Sequence, residues 1–121
     1  MTSGSFPKIA VVATGGSIAG VGPDRLDYIL YPELGEHLTI DQSLGRIPEA
    51  NDIAEIQAED MVSVGSTAIG VPDWLKLARR INELLSGDTF GVVVTHGTAT
   101  LEETAYFLHL TVRSKKPVVI T

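Results

Sequence analysis

The sequence predicts an α/β fold in which a doubly wound, mostly parallel sheet carries helices on both faces. Short, continuous, valine-rich runs are typical of strands buried on both faces of a sheet. They occupy residues 8–14, 91–95 and 117–121. A clear helical pattern lies between two of them, at residues 72–86. Strands that alternate with helices favour right-handed crossovers between parallel strands, which gives the predicted fold class.

Length, composition and charge limit the possible classes of protein. The 121 residues are 44% apolar and 20% charged, which is typical of a globular chain, so we expect one α/β domain over residues 1–121. The net charge of −6 argues against nucleic acid or an anionic membrane as partner, because both need a basic face.

The chain contains no cysteine, which excludes a disulfide framework and a thiolate metal site. We expect neither a metal nor another cofactor. The apolar run at residues 9–13 is too short for a signal peptide or a membrane span, so the expected location is the cytoplasm.

The first strand, residues 8–14, ends at Gly15-Gly16-Ser17. Paired glycines let a backbone approach a ligand closely and expose N–H donors around the serine. The same three residues also form ordinary turns, and both interpretations stay open from the residues alone.

The next stretch is less regular. Residues 18–31 lack clear periodicity and predict a long, mobile loop, which contains Tyr28 and Tyr31. Residues 32–46 show weak helical spacing. Residues 52–64 alternate like one strand or two short pieces and lead into the turn Gly65-Ser66-Thr67.

Residues 72–86 form the most clearly defined helix. Pro72 suits a first helical turn, Asp73 complements the helix dipole and Gly87 ends the pattern. The charged positions are expected to form a solvated face: Lys76, Arg79, Arg80 and Glu83. The apolar positions form the opposite face: Trp74, Leu77, Ala78, Ile81, Leu84 and Leu85.

The strand at residues 91–95 is followed by His96-Gly97 and then by a second helix. Thr100 and Glu103 have the spacing of a capping box at its start. His96 has two possible roles, as a packed and hydrogen-bonded residue at the strand end or as a general base.

Three predicted strands end in a glycine followed by a hydroxyl residue, at Gly16-Ser17, Gly65-Ser66 and Gly97-Thr98. The carboxyl ends of parallel strands share one edge of the sheet, where ligands bind, so these hydroxyls can meet in one cleft. Acyl transfer needs a hydroxyl, a base that activates it and N–H donors for the oxyanion. Hydroxyls and N–H donors are available here, but no base is evident.

Two segments resemble the signatures of the bacterial L-asparaginase/glutaminase family. THGTATLEETAYFL, which begins at Thr95, is similar to the family pattern T-H-G-T-D-T-x-E-E-T-A, and ATGGSIAG, which begins at Ala13, is similar to T-G-G-T-I-A. The resemblance covers nearly all of residues 9–121, which is the first third of a typical family chain. It implies an incomplete, Rossmann-like N-terminal asparaginase domain.

The resemblance also implies an activity, the two-step hydrolysis of the side-chain amide of asparagine or glutamine through an acyl-enzyme. By position, Ser17 is the nucleophile and Thr98 the second catalytic threonine. Tyr31, or alternatively Tyr28, is the lid tyrosine. The implied substrate-binding positions are Gly16, Ser66, Thr67, Gly97 and Ala99.

The sequence departs from the family pattern at three of these positions. Ser17 replaces threonine but keeps the hydroxyl, and Thr67 replaces glutamine. Ala99 replaces the aspartate that pairs with the substrate's ammonium group, and losing such a partner costs about 2–5 kcal/mol. The family's catalytic lysine lies beyond Thr121.

Several hypotheses follow from these departures. The chain is an amidohydrolase for a small amide or imide without an α-amino group, or it is a non-catalytic, ligand-binding relative. As an enzyme, it works in a homo- or hetero-oligomer, as one chain of a split or processed protein. A phosphate- or nucleotide-binding module is disfavoured, because neither G-x-G-x-x-G nor G-x-x-x-x-G-K-[ST] occurs.

Overall fold

The computed structural model describes residues 5–121 of the chain. Its main sheet has four parallel strands in the order β4-β1-β5-β6, and β2 and β3 form a separate antiparallel pair. The strands are β1 Lys8–Ala13, β2 Gly20–Val21, β3 Glu36–His37, β4 Glu55–Asp60, β5 Gly91–Thr95 and β6 Val118–Ile120; the α-helices are α1 Tyr31–Leu34, α2 Ile40–Leu44, α3 Val71–Ser86 and α4 Leu101–Thr111.

The predicted fold class is confirmed, with helices packed on both faces of the parallel sheet. Alternate residues of a strand point to opposite faces, and β1 shows this directly. Ala10 and Val12 belong to a core shared with α3 and α4, and that core also contains Leu77, Ile81 and Leu108. The neighbouring strand residues Val11 and Ala13 pack instead against Ile40 of α2.

The second face is less completely covered than the first. A groove of about 530 Å³ runs over it, since α2 is only five residues long. On the same side, the edge strand β6 leaves Val119 53% exposed. The groove is lined mainly by apolar side chains, including Ile9, Val11, Ala13, Leu44, Ile56 and Val93.

The helix predicted at residues 72–86 is present and begins one residue earlier, at Val71. The Asp73 carboxylate accepts a hydrogen bond from the Gly70 N–H at 3.0 Å, which stabilises the helix start. Arg80, which was predicted to lie on a solvated face, is partly buried and bonded to the sheet. It donates two hydrogen bonds to the Glu59 carboxylate, at 2.7 and 2.9 Å, and so ties α3 to the edge strand β4.

The capping box predicted for the second helix is wrong. α4 begins at Leu101, and the Thr100 side chain makes no cap hydrogen bond. Its hydroxyl donates instead to the main-chain oxygen of Ser66, at 2.8 Å. The neighbouring turn offers a carbonyl acceptor, so Thr100 joins two turns rather than closing its own helix.

The segment between β1 and β4 contains more structure than its sequence pattern indicated. The region predicted as a weak helix divides into α1, β3 and α2. α2 begins with a true capping box, in which Thr39 and Gln42 bond each other's backbone N–H. The Asp60 carboxylate also accepts the Ile40 N–H, at 3.1 Å. Within residues 5–121, every helix is too short or too polar to cross a membrane.

Candidate active site

Three turns leave the same edge of the sheet. The register places Ala13 of β1 beside Asp60 of β4 on one side and Thr95 of β5 on the other. Each of these strands leads to a glycine and then to a short 3-10 turn. The three turns are Ser17–Ala19, Ser66–Ala68 and Thr98–Thr100.

The first and third turns touch through their glycines. Gly16 has a φ of 87°, a conformation that favours glycine. A Cβ atom placed on it would lie 2.5 Å from the Gly97 Cα, which is closer than atoms can approach. A Cβ atom placed on the neighbouring Gly15, whose φ is 85°, would likewise lie 2.6 Å from the Val64 backbone nitrogen. Gly15 and Gly16 therefore allow the end of β1 to pack backbone against backbone with the segments that follow β4 and β5.

The second turn, Ser66–Ala68, packs against Gly97. A Cβ atom on Gly97 would lie 2.8 Å from the Ser66 Oγ, and Ser66 is only 8% exposed. The hydrogen bond from Thr100 to the Ser66 carbonyl holds these two turns together. The turns that carry Ser17, Ser66 and Thr98 therefore lie side by side, as the shared sheet edge predicts.

The side chains at the predicted site differ in exposure. Ser17 is half-buried, while Thr67, Thr98 and Ala99 are exposed. The glycine that precedes each turn has no side chain, so none of the three turns has a side-chain cap. Backbone N–H donors and hydroxyl groups are thus presented together at one surface, which is the combination that acyl transfer requires.

Tyr31 lies beside the turn that carries Ser17. A Cβ atom on Gly20 would lie 3.1 Å from the Tyr31 ring and 3.2 Å from the Ser17 carbonyl oxygen. Tyr28 is 78% exposed. This placement favours Tyr31 over Tyr28 as the lid tyrosine, although its role in chemistry stays a prediction.

His96 is a packed residue in this structure. It is 1% exposed, and both ring nitrogens have partners inside the protein. Nδ1 lies 2.7 Å from the Gly97 carbonyl oxygen, and Nε2 lies 2.9 Å from the Thr104 hydroxyl. Because both nitrogens are engaged in this way, the interpretation of His96 as the general base is disfavoured.

Two residues near the site were not singled out from the sequence. Thr14 is buried, and both its N–H and its hydroxyl donate to the Thr95 carbonyl, at 3.0 and 2.9 Å. Thr104 is fully buried, and its hydroxyl accepts the indole N–H of Trp74 at 2.8 Å. The sequence offered one signal that Thr104 is buried: a polar residue among the apolar helix positions Leu101, Ala105 and Leu108.

These features define the class of protein: an α/β fold with a hydroxyl-bearing, glycine-built site at the carboxyl edge of its sheet. The model of the family described as asparaginase, N-terminal, matches residues 8–121. The chain therefore belongs to the asparaginase family and corresponds to the N-terminal part of its members.

Individual relatives agree with this assignment. L-asparaginase 2 of Bacillus subtilis is 50% identical over 116 residues, which cover 95% of this chain and 30% of that protein. The probable periplasmic L-asparaginase of Haemophilus influenzae is 45% identical over 95% of this chain and 32% of its own. A crystal structure of a probable cytoplasmic L-asparaginase from Campylobacter jejuni superposes with a TM-score of 0.85, at 39% identity, over 94% of this chain and 34% of its own.

The chain thus spans about a third of the length of the relatives it matches. The names of these relatives include both a periplasmic and a cytoplasmic protein. The cytoplasmic location stays a prediction.

The contact between Gly16 and Gly97 leads to a stability prediction. We expect Gly16→Ala to lower the free energy of unfolding by about 2 kcal/mol or more, because alanine adds both backbone strain and a steric overlap with Gly97. Gly65→Ala is the matched control. Gly65 precedes an equivalent turn, but its φ is −62° and a Cβ atom placed on it would have no neighbour within 4 Å. Its substitution should change stability by less than about 0.5 kcal/mol. Urea unfolding of the two variants measures the difference, and equal effects would contradict this account.

Proposed function

We propose that the chain is the nucleophile-bearing part of an asparaginase-like amidohydrolase. Membership of the family supports this, together with one structural observation: the turns of Ser17, Ser66 and Thr98 are held side by side by the contacts of Gly16 and Gly97. Ser17 matches the family's nucleophile position and lies directly after the glycine that touches the third turn.

The proposed reaction has two steps. The Ser17 oxygen attacks the carbonyl carbon of an amide and loses its proton to a base, and backbone N–H groups of the turns stabilise the oxyanion. The C–N bond then breaks, the nitrogen leaves as ammonia or an amine, and an ester remains on Ser17. Water hydrolyses the ester, which releases the acid and restores the hydroxyl.

Thr98 and Tyr31 are proposed to assist this chemistry. Thr98 is exposed on the turn next to that of Ser17, where its hydroxyl can bond the substrate or orient the attacking water. Tyr31 packs beside Gly20, near the Ser17 backbone, and can relay the proton that Ser17 loses. The base itself is proposed to come from the rest of the assembled enzyme, where the family's lysine lies.

The substrate is proposed to be a small amide or imide without an α-amino group. Ala99 is exposed at the third turn, and its methyl group cannot pair with an ammonium ion. Ser66 and Thr67 are the proposed binding groups for the other end of the substrate. Thr67 offers a hydroxyl where the family pattern has a longer amide side chain.

The enzyme is proposed to be an oligomer. The apolar groove on the second sheet face and the exposed Val119 of β6 support this, because uncovered apolar surface of this kind favours association. Within such an assembly, residues 1–121 are the single α/β domain that carries the nucleophile.

A non-catalytic, ligand-binding relative is the second candidate. The engagement of both His96 nitrogens favours it, since this buried histidine is then not available as the base. The Ser17 substitution below separates the two candidates.

Ser17→Ala tests the nucleophile. In an assembled enzyme assayed on a panel of amides and imides, we expect kcat to fall at least about a thousandfold, because no other step replaces the acyl-enzyme. Ligand affinity, measured by calorimetry, should change less than about threefold, since the backbone donors remain. Ser86→Ala is the control, because Ser86 is exposed at the C-terminal end of α3 and lies outside the three turns. Full turnover by Ser17→Ala would contradict the proposed nucleophile.

Ala99→Asp tests the specificity. A carboxylate at this position should pair with an α-ammonium group and raise kcat/KM for asparagine, relative to an amide that lacks the group, by about tenfold or more. Ala99→Asn is nearly the same shape but uncharged, and it should leave the ratio within about threefold of the parent. Equal effects of the two variants would show that charge at position 99 does not select the substrate.

Val119→Lys tests the association. The register pairs Val119 with Val93, so its side chain lies on the same sheet face as the groove. We expect the parent chain to form a stoichiometric complex with a second chain that carries the rest of the Bacillus subtilis relative, and Val119→Lys to weaken it at least about tenfold. Leu110→Lys is the matched control, because Leu110 is 64% exposed on α4. Native mass spectrometry reports both results, and an unchanged complex with Val119→Lys would argue against this surface.

A further inference from the structure

A chain of hydrogen bonds connects the core to the third turn of the site. The indole N–H of Trp74 in α3 contacts the Thr104 hydroxyl in α4 at 2.8 Å. That hydroxyl contacts the His96 Nε2 at 2.9 Å, and the His96 Nδ1 contacts the Gly97 carbonyl oxygen at 2.7 Å. Thr104 and His96 are 0% and 1% exposed, so water does not compete with these bonds.

The chemistry of the groups fixes the direction of two of these three bonds. A carbonyl oxygen can only accept, so the His96 Nδ1 must carry a proton and donate it to Gly97. An indole N–H can only donate, so the Thr104 oxygen accepts from Trp74. The Thr104 hydroxyl proton is then free to bond Nε2 when that nitrogen carries no proton. This arrangement satisfies every donor along the chain.

The last bond determines how the next peptide group is oriented. No peptide bond in the described part of the chain is cis. In a planar trans peptide, the C=O and the following N–H point in opposite directions. Because the Gly97 carbonyl is drawn inward to His96, the Thr98 N–H points away from the core. Thr98 itself is exposed, beside the turn that carries Ser17.

We propose that His96 is a positioning residue, which acts through the Gly97–Thr98 peptide. Held by Thr104 and Trp74 in its Nδ1–H form, it keeps the Gly97 carbonyl inward and presents the Thr98 amide and hydroxyl to the substrate. The catalytic consequence of this role rests on the proposed amidohydrolase function. The hydrogen-bond arrangement does not.

The first experiment determines the tautomer of His96 in the full 121-residue chain. Long-range ¹H–¹⁵N correlation spectra, recorded near neutral pH, should show a protonated Nδ1 and an unprotonated Nε2 for His96. His37 and His109 are exposed and serve as internal references, with the Nε2–H form that is usual in water. An Nε2–H form of His96, or protonation of both nitrogens, would overturn the proposal.

The second experiment removes the Thr104 hydroxyl. Thr104→Val has nearly the same shape and leaves Nε2 without its donor. The Gly97 carbonyl still holds the proton on Nδ1, so the tautomer should persist while the His96 Nε2 and Thr98 amide resonances shift. Thr104→Ser retains the hydroxyl and should restore both signals. If the valine variant keeps the parent Nε2 and Thr98 resonances, Thr104 does not act through His96. The tautomer of the parent protein decides the first step even if the valine variant does not fold.

The third experiment uses the assembled enzyme and two variants of His96. His96→Asn can place an amide donor near the position of Nδ1, whereas His96→Gln places its amide near Nε2. We expect kcat to fall about tenfold for His96→Gln with KM nearly unchanged, and less than about threefold for His96→Asn. Equal losses in the two variants would overturn the positioning role.

The outcomes separate this proposal from the proposed function. If no assembled protein turns over any amide, the amidohydrolase function fails while the tautomer measurement still stands. If turnover occurs but His96 is in its Nε2–H form, the positioning role fails and the amidohydrolase function is unaffected.

Discussion

The contact of Gly16 with Gly97 is the constraint on which the site depends. The backbones of two strand ends meet where a single Cβ atom would keep them apart. One of the glycines has a left-handed backbone conformation that a side chain would make costly. The aligned ends of β1, β4 and β5 bring the chain to this point, and the contact determines how close the three turns come. Hydroxyl groups and amide donors lie together there because this close approach of the backbones sets the spacing of the turns.

The two faces of the sheet have different relations to this site. On the first face, α3 and α4 enclose an apolar core, and the hydrogen bonds from Trp74 to His96 pass through that face to the third turn. The second face has only the short α2 and an open apolar groove. The packed face holds the third turn in place, and the open face is the surface that the proposed association would cover.

Much of the fold could be predicted from the sequence because its signals are local and strong. Valine-rich runs identified β1, β5 and β6, and the apolar stripe of α3 located that helix to within one residue. Thr100 was misjudged because its acceptor, the Ser66 carbonyl, is distant in sequence and only the folded chain brings the two together. The same is true of Arg80 and Glu59. The short elements between β1 and β4 depend on tertiary contacts, such as that of Asp60 with α2, which leave no periodic pattern.

The candidate site likewise combines features that the sequence predicts with features that only the folded chain shows. Which turns share an edge followed from the order of strands and helices, while the exposure of each side chain and the partners of His96 required the fold.

The construction of the site has a consequence for how such a protein can evolve. The residues that shape the turns are glycines and buried polar groups, whereas Thr67, Thr98 and Ala99 face solvent. Exposed positions usually tolerate substitution at a cost of less than about 0.5 kcal/mol. Under the proposed function, selection can therefore explore new substrates at Thr67 and Ala99 while the scaffold keeps its stability, so that specificity can drift within a lineage without passing through unfolded intermediates.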